Sequence, residues 1–260
     1  MLEALKALDA RHGDAPAQSV APTASAKPKV QAAPKAVPSE RATRAPSEVP
    51  IAPPRQVPGT TGCAACILPT VLELSDAYLE LAVALAEQNA SNYCNVLLFV
   101  SPEPIDDRHF SLTRLAQAVA LQSPGQVLLV DGDLRGRSLS KAVELSGAGL
   151  GDVMSGRANW PDVICPTNMA CVDIVGAGTR HVPTLERPDF GWNALRPQYR
   201  AVLIGVATGN QPETAWLAAR CDAVYFVIRR AHTRRQTATT ATNALRACGA
   251  SVLGCIVAED

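Results

Sequence analysis

The sequence predicts an α/β fold built on a mostly parallel, doubly wound sheet. From about residue 68 to the C-terminal end, apolar runs alternate with amphipathic stretches. The apolar runs are continuous rather than alternating, which is typical of strands that are covered on both faces. Because strands and helices follow one another in turn, the sheet is expected to be parallel, with right-handed crossover connections.

The N-terminal part of the chain differs from the rest in composition. Leu2, Leu5 and Leu8 recur at three-residue spacing, which predicts a short amphipathic helix over residues 1–12. Residues 13–60 are rich in Ala, Pro, Ser, Thr, Val and Lys and contain no aromatic residue. Such a segment cannot bury enough apolar surface to offset its ordering entropy. We therefore expect a disordered linker over 13–60 and a folded domain over 68–260.

The folded part is predicted to begin with a helix over 68–90 and to continue as alternating strands and helices. Strands are expected at the apolar runs 95–100, 126–130, 171–175, 201–206, 223–228 and 251–257. Helices are expected at the amphipathic stretches 108–122, 138–145, 184–195, 211–220 and 233–248. Ligands of parallel sheets bind at the carboxyl ends of the strands, so any site should be formed by loops 101–109, 131–138 and 205–212.

Charge and hydropathy exclude several classes of function. The chain has 24 basic and 24 acidic side chains, and a formal net charge of zero does not favour a nucleic-acid partner. The sequence has no apolar run of 18 residues and no signal-peptide pattern at its N-terminus. We therefore expect a cytoplasmic protein without direct membrane insertion, which reaches the inner membrane only through a partner. Its eight cysteines should then be mostly reduced.

Two short patterns leave more than one interpretation open. Cys63 and Cys66 have the spacing of a metal knuckle or a redox pair, but a zinc site usually has four ligands and no second pair lies nearby. Local packing is the alternative. Residues 229–235 carry four arginines, which are either a solvated helix start or a docking patch for an acidic partner surface.

The segment from Val127 to Leu139 carries the most specific motif. It reads Val-Leu-Leu-Val-Asp-Gly-Asp-Leu-Arg-Gly-Arg-Ser-Leu. It resembles the Walker A′ segment of the bacterial tyrosine kinases (BY-kinases) of capsule and exopolysaccharide biosynthesis. Residues 149–156 resemble the family's Gly-Leu-Ser-Asp-Val-Leu-x-Gly, and residues 229–235 and 248–254 resemble its last helix and strand. The resemblance implies a P-loop NTPase fold of the MinD/ParA-like type for residues 68–260.

The phosphate-binding loop of that family is altered here. Its Gly-Glu-Gly-Lys-Ser-Thr aligns on residues 105–110, which read Ile-Asp-Asp-Arg-His-Phe. Side chains in place of the glycines block the path along which backbone N–H groups would surround phosphate, and Asp107 would repel a triphosphate. Arg108 keeps a positive charge but has a larger planar head than lysine. His109 lacks the hydroxyl that binds Mg²⁺.

The acidic half of the nucleotide site is only partly kept. The resemblance makes Asp131 and Asp133 the catalytic carboxylates of an active enzyme, with Asp131 as the metal ligand. Arg108, His109 and Arg135 would line a degenerate nucleotide site.

The second acidic motif of the family aligns on residues 202–208, and its carboxylate is replaced by Gly205. Asp131 and Asp133 are therefore either remnants, which cap a turn or pair with Arg135 or Arg137, or carboxylates that retain some cation binding.

Two further family features are missing. The positions that match the charged Glu-x-x-Arg-x-x-Arg of the oligomerisation helix are Asp76, Leu79 and Ala82, which makes oligomerisation doubtful. The C-terminal tyrosine cluster that is phosphorylated in the family is also absent.

The leading hypothesis is a catalytically degenerate BY-kinase-like protein that regulates or scaffolds a polysaccharide-export system. Its partner would be an export or chain-length protein or an active kinase paralogue. No cofactor is expected, and ATP with Mg²⁺ would bind only if a residual site exists. One alternative is a divergent ATP-dependent tyrosine kinase or ATPase that uses Arg108, Asp131 and Asp133. The other is an interaction module related to the ParA and MinD positioning ATPases.

Overall fold

The computed structural model describes residues 66–68, 74–88, 95–103, 111–122, 125–179, 191–207, 211–230 and 232–258. The predicted N-terminal helix at 1–12 and the linker at 13–60 lie outside the described residues, and so do Arg108, His109 and Cys63. The expectations for these residues stay predictions.

The described residues form helices and strands in alternation. Their order along the chain is α1 (Asp76–Gln88), β1 (Asn95–Val100), α2 (Leu112–Gln122), β2 (Gln126–Asp131), α3 (Ser138–Ala142), α4 (Leu150–Met154), α5 (Trp160–Val163), β3 (Cys165–Pro166), β4 (Val172–Val175), α6 (Trp192–Leu195), β5 (Tyr199–Val206), α7 (Pro212–Ala218), β6 (Ala223–Arg229), α8 (Arg235–Ala247) and β7 (Val252–Ala258). All six predicted strands are present, each within two residues of its predicted ends.

The strands make a single seven-stranded sheet in the order β3-β4-β2-β5-β1-β6-β7. Every neighbouring pair is parallel except β3 with β4, which is antiparallel. The predicted class, a mostly parallel α/β sheet, is confirmed. Because β5 lies between β2 and β1, the carboxyl ends of these three strands meet at one place, and loops that are distant in sequence become neighbours there.

Each central strand is buried on both faces, which explains its continuous apolar sequence. In β1, Val96, Leu98 and Val100 belong to one apolar core, whereas Leu97 and Phe99 belong to the core on the opposite face. All five residues are at most 4% exposed. Burial of this kind contributes roughly 25 cal/mol per Å² of apolar surface and is the main stabilising term of the sheet.

The first helix begins later than predicted, at Asp76 rather than at residue 68. Leu68 is held instead by the Asn168 side chain, which accepts from the Leu68 N–H at 2.7 Å and donates to its carbonyl at 3.1 Å. Cys66 forms a parallel bridge with Thr167 beside it. Pairing of the backbone with a distant segment therefore replaces the helix expected from the local pattern.

Most described cysteines are free thiols, as expected of a reduced protein, namely Cys66, Cys171, Cys221, Cys248 and Cys255. Cys165 is disulfide-bonded. The described part of the chain contains no group of three or more His, Cys, Asp or Glu side chains that could hold a metal ion. Among the same residues, no helix combines the length and the apolarity that a membrane crossing requires.

Candidate functional site

The carboxyl edge of the sheet carries the residues that the sequence singled out. Asp131 ends β2 and lies in register with Gly205 of the neighbouring strand β5. Gly205 is also in register with Phe99 of β1, on the other side of β5. The predicted convergence of the loops after these strands therefore holds for their described residues. We call residues 131–140, from Asp131 to Ser140, the aspartate loop.

Asp131 is completely buried, and both of its carboxylate oxygens accept hydrogen bonds. Oδ2 accepts from the Ser140 N–H at 2.7 Å and from the Ser140 hydroxyl at 2.6 Å. Oδ1 accepts from the Asp133 N–H at 3.1 Å. Burial raises the pKa of Asp131 above its ordinary value, although these hydrogen bonds act in the opposite direction. The carboxylate ties the end of β2 to the start of α3.

Ser140 extends this connection to a third segment. Its Oγ accepts from the Ala177 N–H at 2.9 Å while donating to Asp131. Ala177 follows β4, which is the other neighbour of β2 in the sheet. One buried hydroxyl therefore links the loops that follow two adjacent strands, and the carboxylate of Asp131 is the acceptor on which the link depends.

Asp133 is also buried, and its side chain closes the turn that follows it. Its Oδ1 accepts from the Gly136 N–H at 2.8 Å, and its carbonyl accepts from the Arg137 N–H at 2.7 Å. A Cβ atom added to Gly136 would lie only 2.1 Å from Asp133 Oδ2, so a side chain at position 136 would displace the carboxylate that closes the turn. Asp133 therefore caps the turn and forms no ion pair with Arg135 or Arg137 in the described structure.

The position of the family's second carboxylate is closed sterically as well as chemically. A Cβ atom built on Gly205 would lie 2.8 Å from Leu112 Cδ2. Leu112 is the first residue of α2 and is 9% exposed. A side chain at position 205 would therefore meet the end of the Leu112 side chain, which would have to move aside to admit an aspartate.

Arg135 leaves the aspartate loop and binds across the edge of the sheet. Its Nε and one terminal nitrogen donate to Glu213 Oε1 at 3.2 and 2.8 Å. Glu213 lies in the first turn of α7, where its charge also favours the helix N-terminus. The arginine is half exposed and the glutamate nearly buried. The predicted nucleotide ligand Arg135 is therefore engaged in joining the loop to α7.

Asp152 forms a second hydrogen-bonded centre, in the motif at residues 149–156. It accepts from the Gly149 and Thr179 N–H groups at 3.0 and 3.1 Å and from Arg157 at 3.1 and 3.2 Å. Burial alone would raise the pKa of Asp152, but these hydrogen bonds outweigh it and hold that pKa below its ordinary value. The carboxylate joins α4 to the segment after β4, which supports the same edge of the sheet.

Sequence reasoning located the carboxylates but missed their partners. Asp131, Asp133 and Arg135 lie together at the predicted edge, while Arg108 and His109 are outside the described residues. Ser140, Leu112 and Glu213 were not singled out. Glu213 had a local signal, since it follows Pro212 in a pattern typical of a helix start. Leu112 and Ser140 had none, because their role depends on contacts with residues distant in sequence.

No protein-family model and no curated protein sequence matches this chain. Among solved structures, the kinase domain of the Escherichia coli tyrosine kinase Etk is 20% identical, with a TM-score of 0.59 over 71% of this chain and 74% of that chain. The VpsO kinase domain is 24% identical, with a TM-score of 0.58 over 71% of this chain and 96% of that chain. The BceF tyrosine kinase domain is 23% identical, with a TM-score of 0.58 over 70% and 76%.

The sheet and these likenesses define the class of fold, which is a mostly parallel α/β sheet. Within that class, the fold is the one found in the tyrosine kinase domains Etk, VpsO and BceF. The fold implied by the Walker A′ resemblance is thereby confirmed.

Proposed function

We propose that this chain is a catalytically degenerate BY-kinase-like protein that acts as a regulatory or scaffolding subunit in capsule or exopolysaccharide biosynthesis and export. The observation that carries the proposal is the closed aspartate loop. Asp131 is fully buried with both oxygens accepting hydrogen bonds, and Leu112 fills the space beside Gly205. The fold supports the choice of family, because similar kinase domains share it.

The described residues do not fit a nucleotide-bound magnesium ion. Such an ion is bound by one or two carboxylates together with substrate phosphates and waters. Here one carboxylate is replaced by Gly205 and the other is used internally as a hydrogen-bond acceptor. Phosphoryl transfer depends almost entirely on positioning and on charge neutralisation by the metal and basic groups. Arg135, a basic group at this edge, is paired with Glu213.

A protein of this kind would act through its surface rather than through chemistry. The proposed partner is a polysaccharide-export or chain-length protein or an active kinase paralogue. The chain would then work in the cytoplasm, next to the inner membrane, as a competitor of the active kinase or as an adaptor for it. The predicted helix at 1–12 and the linker at 13–60 would provide a tethered second contact.

Calorimetric titration of ATP and ADP with Mg²⁺ into the full chain tests this proposal. We expect no heat of binding and no thermal shift at millimolar nucleotide. Asp131→Asn, which preserves the size of the side chain, serves as the matched control and should give the same null result.

Micromolar binding by the wild type that Asp131→Asn abolishes would contradict the proposal. It would support the first alternative, a divergent ATP-dependent kinase or ATPase. If nucleotide is not bound, affinity capture distinguishes the two remaining hypotheses. Capture of export proteins supports a regulatory subunit, and capture of division or segregation proteins supports a positioning module.

A further inference from the structure

The C-terminal part of the chain contains a stretch whose charged residues are all arginines. Between Ala223 and Ala258 the sequence has five arginines and no aspartate, glutamate or lysine, and acidic residues border this stretch at Asp222, Glu259 and Asp260. Four of the arginines lie within residues 229–235, which we call the arginine turn. The whole chain has a formal net charge of zero, so this segment is a local concentration of positive charge and not part of a generally basic surface.

The backbone of the arginine turn is closed by Thr233. Its N–H donates to the Arg229 carbonyl at 3.0 Å, and its hydroxyl accepts from the Arg229 N–H at the same distance. The side chains of Arg230, Arg234 and Arg235 are exposed, whereas Arg229 is half-buried. Hydrogen bonds between Arg229 and Thr233 thus hold the described ends of this stretch, and three exposed arginines lie beside them.

The helix that follows does not favour these charges. Arg234 occupies the N-cap of α8, Arg235 begins the helix, and its first turn contains no acidic residue. The N-terminus of a helix carries partial positive charge, so cations are unfavourable there and an anion is favourable. An acidic ligand would therefore relieve repulsion within the turn and gain attraction from the helix end.

A strand edge lies next to the arginine turn. In the described structure, β7 is the last strand of the sheet, and its final residue Ala258 is in register with Arg229 of β6. Residues 252–258 read Val-Leu-Gly-Cys-Ile-Val-Ala, without the charges or prolines that usually protect an edge strand. Main-chain groups along this edge are available for pairing with an extended chain within the described part of the protein.

The direction of these main-chain groups can be assigned. The Ala258 carbonyl accepts from the Arg230 N–H, on the β6 side of the strand. Because main-chain groups alternate in direction along a strand, those of Cys255 and Val257 point away from β6. Position 257 is therefore one at which the outer edge can be altered without removing a hydrogen bond to β6.

We propose that the edge of β7 and the arginine turn together bind an extended acidic segment of a partner protein. The segment would add to the sheet as a further strand, and its carboxylates would bind the guanidinium groups of Arg230, Arg234 and Arg235. Arginine forks match carboxylates bidentately, which gives direction as well as charge. A nucleic acid or a lipid surface could satisfy the charges but could not pair with the strand edge.

This surface gives the proposed regulatory subunit a partner chemistry, but it does not include the aspartate loop. The binding experiment is therefore done without nucleotide, and its failure would leave the proposal of a degenerate nucleotide site standing. Conversely, discovery of nucleotide binding would not affect the peptide result.

The probe is a fluorescein-labelled peptide of alternating glutamate and valine, titrated with the full chain in fluorescence anisotropy. We expect the Arg230→Glu/Arg234→Glu variant to bind at least about tenfold more weakly than the wild type. Arg246→Glu, a charge reversal at the far end of the same helix, should change the affinity by less than about twofold because it lies outside the surface. Circular dichroism and thermal unfolding check that each variant is folded.

Two further measurements separate strand pairing from simple charge attraction. Val257→Pro removes an outward N–H and should weaken peptide binding at least about fivefold. A peptide with alternate backbone nitrogens methylated keeps its charges but cannot pair with the strand, and it should bind at least about fivefold more weakly than the unmodified peptide but more tightly than a peptide of lysine and valine.

Three results would overturn the proposal. The first is equal affinity for the methylated and unmodified peptides, and the second is tighter binding of oligo-dT or of phosphatidylserine vesicles than of the acidic peptide. The third is that a folded wild-type protein does not bind the peptide at all.

Discussion

The aspartate loop and the arginine turn lie at the same edge of the sheet but direct their charged groups in opposite ways. In the aspartate loop, Asp131 and Asp133 are at most 3% exposed and accept hydrogen bonds from their own loop. In the arginine turn, main-chain bonds and Thr233 hold the backbone, and the charged side chains of Arg230 and Arg234 extend into solvent. The carboxylates of the aspartate loop therefore hold its own backbone, while the exposed charges of the arginine turn lie three strands away in the sheet.

The largest expected effect is the difference in stability lost when a charged side chain is removed from each of the two regions. Asp131→Ala removes three hydrogen bonds and leaves the Ser140 N–H buried without an acceptor, which should lower the free energy of unfolding by about 3 kcal/mol. Arg230→Ala removes an exposed side chain and should change it by less than about 0.5 kcal/mol. Urea unfolding followed by circular dichroism measures both. Similar losses for the two variants would show that the aspartate loop is not the more structural region.

A smaller effect tests whether Leu112 closes the site beside Gly205. Gly205→Ala should cost about 1–2 kcal/mol because the added methyl group meets Leu112 Cδ2. In the Leu112→Ala background the same substitution should cost about 1 kcal/mol less, a coupling that a double-mutant cycle reveals. Gly254→Ala is the matched control, since its added Cβ would make only ordinary contact with Tyr225, at 3.4 Å. Additive effects of the two changes would mean that the space is open.

The smallest expected effect is in the pH dependence of stability. Asp131 and Asp152 should change the free energy of unfolding in opposite directions as the pH rises. The pKa of Asp131 is raised, so the folded state keeps a proton that the unfolded state releases. The free energy of unfolding therefore falls as the pH rises from the ordinary value of 3.8 to the raised pKa. The pKa of Asp152 is lowered, so its contribution is present above 3.8 and is lost as the pH falls through the lower, folded-state pKa.

Unfolding of the wild type, Asp131→Asn and Asp152→Asn over a range of pH checks this difference. The stability of the wild type relative to Asp131→Asn should decrease as the pH rises above about 4. Its stability relative to Asp152→Asn should decrease as the pH falls below about 4. The same slope for both variants would contradict the environments described for the two carboxylates.

The strands were predictable because their signal is local and strong. Runs such as Val96 to Val100 are apolar at every position, and a strand buried on both faces requires that composition. The strand β3 was missed because it has only two residues, and the helices α4 and α5 because five and four residues are too few to show a period. The start of α1 was placed too early because Leu68 is held by the distant residue Asn168.

The candidate site was predictable only in part, for a related reason. Asp131 and Asp133 follow a strand directly, so their position at the carboxyl edge could be inferred from sequence order. The partners that determine their chemistry come from other elements, namely Ser140 in α3, Leu112 in α2 and Glu213 in α7 for the neighbouring Arg135. The sequence allows Asp131 or Asp133 either to cap a turn or to pair with Arg135 or Arg137, and in the structure Asp133 caps the turn through the Gly136 N–H.

The closure of the arginine turn by Thr233 has a consequence for how this protein can change. The shape of the turn depends on main-chain hydrogen bonds and one hydroxyl, so the side chains at positions 230, 234 and 235 contribute little to folding. Substitutions there can alter partner choice at almost no thermodynamic cost. The binding specificity of the arginine turn can therefore change, in evolution or by design, without changes in the sheet.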